Sequence, residues 1–201
     1  MDCRGEIYVE CGTIWSRTSV SEIQNQWYVI TGPPCCGKST TIELLSRRGF
    51  WVRPEVAREY IDREMRKGRE IQEIRASMQN FQVDILMNSL ETEQYLPKEK
   101  IIFFDRGVPD SLAYFRLHGI PVEKYMKFIK PARYRKVFYL DPLDNYSVDY
   151  ARVESVNERD KLAHLLWQAY SDLDFHVERV PVLAAQERVE YILHRITQDP
   201  C

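Results

Sequence analysis

One stretch of eight residues, Gly32-Pro33-Pro34-Cys35-Cys36-Gly37-Lys38-Ser39, constrains this chain more than any other because of what flanks it. Before it, Trp27-Tyr28-Val29-Ile30-Thr31 is a short aromatic and β-branched run, the composition of a strand buried on both faces. After it, Thr40 to Arg48 carries Ile42, Leu44 and Leu45 at helical spacing and stops before Gly49, a suitable C-cap. A buried strand that turns through a glycine-bounded loop into a helix commits the chain to an α/β architecture. The same alternation continues downstream. Strands are predicted at Phe50–Arg53, at Lys100–Phe104 ending on Asp105, at Lys136–Leu140 ending on Asp141, and at Val177–Val182. Helices are predicted over Glu73–Tyr95, after the capping-box pattern Ser155-x-x-Glu158, and along the apolar face Val189/Ile192/Leu193/Ile196. The long helix carries two stripes, Ile74/Met78/Phe81/Ile85 and Val83/Met87/Leu90, so it is expected to be buried on two sides. Strands that read as continuous apolar runs belong in a parallel sheet covered by helices on both faces.

The loop itself matches G-x-x-x-x-G-K-[ST] at every fixed position. Gly32 leaves the strand in a conformation other residues reach poorly, and Gly37 lets backbone approach an anion closely. Successive N–H groups at a helix start make a cradle for phosphate oxygens, with the helix dipole adding positive potential. Lys38 is placed to reach the β- and γ-phosphates, and the Ser39 hydroxyl to ligate Mg²⁺. The nucleotide-binding set is therefore Gly32, Pro33, Pro34, Cys35, Cys36, Gly37, Lys38, Ser39 and Thr40, with ATP and Mg²⁺ as expected ligands.

Composition narrows the classes. With 201 residues, 44% of them apolar and 12% aromatic, the chain suits one globular domain rather than a disordered one. Residues 1–25 read as an N-terminal extension and 26–201 as the nucleotide-binding domain. Twenty-eight basic residues against 30 acidic ones give a net charge of −2, so no global positive field exists for nucleic acid. A local group, Lys127, Lys130, Arg133, Arg135 and Lys136, reads as a solvated loop flanking a strand. No apolar run approaches the ~18 residues of a membrane span, and Met1-Asp2-Cys3-Arg4 lacks signal-peptide order, so a cytoplasmic location is expected. Five cysteines without metal-ligand spacing read as reduced thiols. No N-K-x-D guanine reader or L-S-G-G-Q signature occurs. Oligomerisation is left open.

Ligands of such sheets bind beyond the carboxyl ends of the strands, and the residues there carry the remaining chemistry. Asp105 is the candidate metal carboxylate, placed to accept from a Mg²⁺-bound water or from the Ser39 hydroxyl. A helix or turn cap is its alternative. Arg106, next in the chain, suits an anionic substrate group or the transferred phosphoryl group. Glu55 stands where an acceptor hydroxyl could be oriented or deprotonated, with Arg58 one turn later. Glu55 can equally be read as ordinary dipole compensation in a first helical turn. The polar segment from Asp141 to Glu154 reads as a cover over the phosphates, with Arg152, or else Arg159, as the cation for a loose transition state. Arg152 is favoured because it lies farther from the apolar stripe.

On these residues the chain resembles the small AAA-type P-loop ATPases or kinases, relatives of the ribosylnicotinamide kinase domain and more distantly of deoxynucleoside and thymidylate kinases. The resemblance runs over residues 26–197. It rests on Ile30 to Thr40, Pro54-Glu55-Val56-Ala57-Arg58-Glu59, Phe104-Asp105-Arg106-Gly107 with Asp110-Ser111-Leu112-Ala113-Tyr114, Leu140-Asp141-Pro142, Tyr170, Val180-Pro181 and Glu187-Arg188. It implies a five-stranded parallel kinase-type core with ATP·Mg²⁺. Asp105-Arg106 takes the place of the acid–Arg pair of nucleoside kinases, Glu55 that of their acidic residue near the acceptor, and Pro181 onward lies near the adenine. The Cys35-Cys36 pair and the first 25 residues depart from the usual pattern.

The leading expectation is a phosphotransferase that moves the γ-phosphate of ATP to a small hydroxyl-bearing, nucleoside-like acceptor. Two pairs at the cleft edge, Glu55/Arg58 and Asp105/Arg106, exceed what hydrolysis alone needs. The alternatives are an ATPase that signals to a partner protein and a non-catalytic nucleotide-binding protein.

Overall fold

The computed structural model describes residues 25–130, 132–143 and 156–198. Among them, strands β1 (Trp27–Thr31), β2 (Trp51–Arg53), β3 (Ile102–Asp105), β4 (Lys136–Leu140) and β5 (Val177–Val180) form one sheet in the order β2-β3-β1-β4-β5. Every pair is parallel, and the register sets Ile30 beside Asp105 and Thr31 beside Tyr139. The side-chain period of two then divides the core. Trp27, Val29, Phe104, Val137 and Tyr139 face one layer, with Leu112, Phe115, Leu166 and Tyr170 from helices α5 (Asp110–Leu117) and α7 (Val156–Ser171). Tyr28, Ile30, Phe103, Phe138 and Leu140 face the other, against α1 (Lys38–Arg47) and α8 (Ala185–Thr197).

Helix α1 ends as its sequence predicts. Gly49 takes φ +87°, its N–H bonds Ser46 O at 2.9 Å, and Phe50 N–H bonds Leu45 O at 3.2 Å, which is a Schellman cap. Helix α2 (Val56–Arg66) follows β2 directly. The predicted helix over Glu73–Tyr95 is two helices, α3 (Ile71–Ile74) and α4 (Met78–Gln94). Glu73 caps α3 by accepting from Glu70 N–H at 3.0 Å, and Ser77 caps α4 by accepting from Asn80 N–H at 3.3 Å. The stripe Ile74/Phe81 continues across the break, with Met78 and Ile85, because both pieces pack on Tyr60 and Ile61 of α2. Spacing alone therefore hid the interruption. Val83 and Leu90 pack on the main core as expected, whereas Met87 is exposed. A 3-10 turn (Val122–Lys124) and the short α6 (Met126–Ile129) lead to β4. Lys136, expected in a solvated patch, is buried at 8% exposure within β4. Among the described residues no helix is long and apolar enough to cross a membrane.

The loop after β3 is tied back to α4 by a polar chain. Val108 N–H donates to Tyr134 Oη at 2.8 Å, and Tyr134 donates in turn to Glu93. Burial pushes the Glu93 carboxyl up to about 7, partly offset by the Tyr134 hydrogen bond. Because the unfolded carboxyl titrates near 4.5, the native state binds the extra proton between that value and 7. Stability is therefore expected to fall as pH rises from about 4.5 to 7 and to level off above. Urea unfolding across this range should show a flatter profile for Glu93→Gln than for the wild type.

Candidate active site

The carboxyl ends of β1, β3 and β4 open onto one cleft, and the loop between β1 and α1 lines its nucleotide half. Gly32 has φ +141°, and a Cβ there would lie 2.4 Å from Leu140 O. Gly37, with φ +87°, precedes α1 and leaves the first turn without a side-chain cap or an acidic residue. Its N–H groups are thus open to an anion. Cys35 occupies the left-handed region at φ 61°, while Cys36 is fully buried among Ile30, Leu45 and Leu140 and anchors the loop to the core. Pro33 and Pro34 are buried, and Ser39 and Thr40 are exposed. Lys38 is only 6% exposed; its Nζ donates to Gly32 O and Pro33 O, each at 2.9 Å, and lies 3.5 Å from Cys36 Sγ.

Ser39 Oγ donates to Asp105 Oδ2 at 3.3 Å, so the two expected metal ligands meet. Asp105 Oδ1 is buried without a hydrogen-bond partner. A hydroxyl and an under-satisfied carboxylate are hard oxygen donors, and this set fits Mg²⁺ whose other ligands come from phosphates and water. Among the described residues no cluster of three His, Cys, Asp or Glu side chains exists that could hold a metal by itself.

Beyond Asp105 the backbone turns sharply, with Arg106 at φ 72°. Arg106 Nε donates to Glu55 Oε1 at 2.8 Å, and its guanidinium stands 5.3 Å over the Tyr114 ring. Glu55 stands at the start of α2 and Arg106 just past the end of β3, so the ion pair bridges two elements 51 residues apart in sequence. Burial works against the Glu55 carboxylate, but Arg106, then Lys38 and Arg58, hold it below the ordinary range. Asp105 is pushed the other way, up to about 6, by burial and by the Glu55 charge. Arg58 is half-buried and adds positive potential at Glu55, but it does not line the adjoining cavity. Arg159 pairs with its neighbour Asp160 at 3.1 Å, and Arg152 lies outside the described residues.

The sequence gives little warning of Asp110, which organises this corner. Only 3% exposed, it accepts from Thr31 Oγ1 at 2.8 Å, Gly107 N–H at 2.9 Å and Arg106 Nη1 at 3.3 Å, and also from the Tyr170 hydroxyl. Tyr170 comes from α7, far along the chain; only the grouping of Asp110 and Tyr170 in one family pattern hinted that they belong together. Arg188 of α8 is the second such residue, hydrogen-bonded to the phosphate-loop carbonyls of Cys36 and Gly37.

Beside Glu55 and Arg106 opens a cavity of about 330 Å³. Val56, Met78, Phe81 and Ile85 give it an apolar wall, and Arg75, Gln82, Ser111 and His118 give it polar groups. Arg75 lies at the α3–α4 break and stacks its guanidinium 5.3 Å over Phe81.

With this geometry in view, comparison with known proteins is decisive for the family. The sequence pattern of a family described as AAA domain matches residues 27–188. The chain belongs to this AAA-domain family. No match is found among curated proteins by sequence. Among solved structures, the fold is similar to a deoxyadenosine kinase from M. mycoides with dCMP and dCDP bound, at TM-score 0.62 and 16% identity over 85% of this chain and 98% of that one. It is also similar to NadR in complex with NAD and AMP-PNP, at TM-score 0.66 and 18% identity over 88% of this chain and 51% of that one. The chain thus spans about half of NadR. The fold is P-loop kinase-like, with a five-stranded parallel sheet between helices.

The Asp110 node yields a stability test. Asp110→Ala removes the acceptor of four donors, one of them a guanidinium, in a buried place. It is expected to cost about 3–5 kcal/mol in denaturant unfolding. A loss under about 1 kcal/mol, the size of one ordinary hydrogen bond, would mean that the node does not hold the corner together.

Proposed function

We propose that this protein transfers the γ-phosphoryl group of ATP·Mg²⁺ to a hydroxyl of a small, nucleoside-like acceptor bound in the cavity beside Glu55. The observation that carries this reading is the ionised Glu55 carboxylate, clamped by Arg106 on the wall of a largely apolar cavity adjoining the phosphate loop. A cavity of about 330 Å³ lies in the range of small-molecule sites, and hydrolysis alone has no use for its Phe81/Met78/Ile85 wall.

In this reading the loop N–H groups and Lys38 hold the triphosphate, Lys38 exchanging its carbonyl partners for phosphate oxygens. Mg²⁺, held through Ser39 and Asp105, neutralises charge on the phosphates when bound. Glu55 accepts a hydrogen bond from the acceptor hydroxyl and orients its oxygen toward the γ-phosphorus. As the new O–P bond forms and the bond to the β–γ bridging oxygen breaks, the hydroxyl proton passes to Glu55 and ADP leaves. Arg106, charged at any working pH, keeps Glu55 ionised beforehand and faces the acceptor side of the transferred group. Arg152, which lies outside the described residues, is proposed as the remaining cation for the phosphates. The protein's proposed location is the cytoplasm.

The test follows label from γ-labelled ATP·Mg²⁺ with and without a panel of nucleosides, ribosylnicotinamide and small sugars. Label on an acceptor is the expected result. Label released only as inorganic phosphate, at one rate in both reactions, would replace this reading with an ATPase that serves a protein partner. With an acceptor in hand, Glu55→Gln should slow transfer by roughly 100-fold or more while ATP affinity changes little. Lys38→Ala should abolish both transfer and the thermal stabilisation given by ATP; unchanged stabilisation would remove Lys38 from the phosphate site.

A further inference from the structure

Arg188 sits in the first turn of α8, only 4% exposed, and its hydrogen bonds all end on neutral oxygens. Nη1 donates to Cys36 O at 3.1 Å, Gly37 O at 3.3 Å and Thr41 Oγ1 at 3.4 Å, and Nη2 donates to Leu183 O at 3.2 Å. No carboxylate among the described residues forms an ion pair with it. The adjacent Glu187 is turned away, accepting from Ala184 N–H at 3.2 Å. A guanidinium buried against neutral oxygens alone is costly unless a nearby negative charge offsets it.

Its position determines where that anion lies. The peptide bonds here are trans, so each C=O points opposite to the N–H of the next residue. By holding Cys36 O and Gly37 O on its own side, Arg188 turns the N–H groups of Gly37 and Lys38 to the opposite side. Gly37 O also accepts from Thr41 N–H at 3.1 Å, which directs it along α1 and leaves the Lys38 N–H facing out ahead of the helix. A charge-assisted hydrogen bond on the carbonyl also polarises the N–H across the peptide. The second glycine of the loop has a reason here beyond its φ of +87°: a Cβ on Gly37 would lie 2.2 Å from Arg188 Nη1.

We propose that Arg188 is a positioning residue of the nucleotide site, aiming the Gly37 and Lys38 N–H groups at the polyphosphate and serving as its buried countercharge. This rests on the ATP-binding reading above. The alternative route, through Leu183 O, would have Arg188 act on the loop after β5 rather than on the phosphates.

Isothermal titration of the full chain with ATP·Mg²⁺ and with inorganic tripolyphosphate·Mg²⁺ separates the two, on wild type, Arg188→Lys and Arg188→Met. The expected result is that both ligands weaken by the same factor, roughly tenfold or more in Arg188→Met. Arg188→Lys should fall between, because its ammonium keeps the charge but lacks the planar fork. Loss of ATP affinity with tripolyphosphate unchanged would overturn the proposal in favour of the Leu183 route. Unchanged affinity for both ligands would overturn it as well, while leaving the ATP-binding reading standing. Should Arg188→Met fail to fold by circular dichroism, Arg188→Lys decides by the same comparison. A wild-type protein that binds neither ligand overturns this proposal together with the reading it rests on.

Discussion

The carboxyl edge of the sheet is arranged around one buried carboxylate. Asp110 takes hydrogen bonds from the last residue of β1, the turn after β3 and helix α7. These segments are far apart in sequence, and each delivers a donor that would be costly to bury without an acceptor. The positive φ of Arg106 is tolerable because the Gly107 N–H and the Arg106 guanidinium both close onto the same carboxylate. That strained turn is what presents Arg106 to Glu55 instead of to solvent. Fold and site are thus one construction: the group that lets α7 pack on α5 also aims the cation of the cleft.

The charges in the cleft are mutually dependent. Glu55 is ionised because Arg106, Lys38 and Arg58 surround it, and its charge in turn makes ionisation of Asp105 harder. The two carboxylates are therefore shifted in opposite directions within one small volume, the kind of separation that suits different work. Glu55 is the carboxylate ready to accept a proton donor. Asp105, with an unsatisfied buried oxygen, is the one that gains from a cation nearby, since a divalent ion reverses the local electrostatic preference.

How much of this was legible in the sequence depended on range. The strands from Trp27 and from Lys136 were read to the residue, because a buried parallel strand needs an unbroken apolar run. The phosphate loop was legible for a related reason: its chemistry is packed into consecutive residues. Asp105, Arg106 and Glu55 stood out because strand ends mark where ligands bind, and the structure brings all three together. Asp110 and Arg188 carried no assigned role. Their partners lie 60 and about 150 residues away, and a lone Asp or Arg in a helix gives no sign of the acceptor or donor it meets. The break at Arg75–Ser77 was hidden by an apolar stripe that stays in phase across it.

That break bears on what family membership can carry. The AAA-domain match covers residues 27–188 and the likeness to solved structures is one of fold, whereas the phosphate loop lines only the nucleotide half of the cleft. The other half is walled by α2, the α3–α4 break and α4, where Arg75 comes to lie over Phe81 only because the helix stops and restarts with Ser77 as its cap. A wall made by interrupted helices can change its polar groups without disturbing the sheet, since its packing on α2 forms an apolar cluster separate from the two layers flanking the sheet. Likeness at 16 to 18% identity therefore speaks for the fold and not for the residues of this wall. On the phosphotransfer reading proposed above, the residues placed to select an acceptor are Arg75, Phe81 and Gln82 of this wall, with His118 from the end of α5, rather than the phosphate loop.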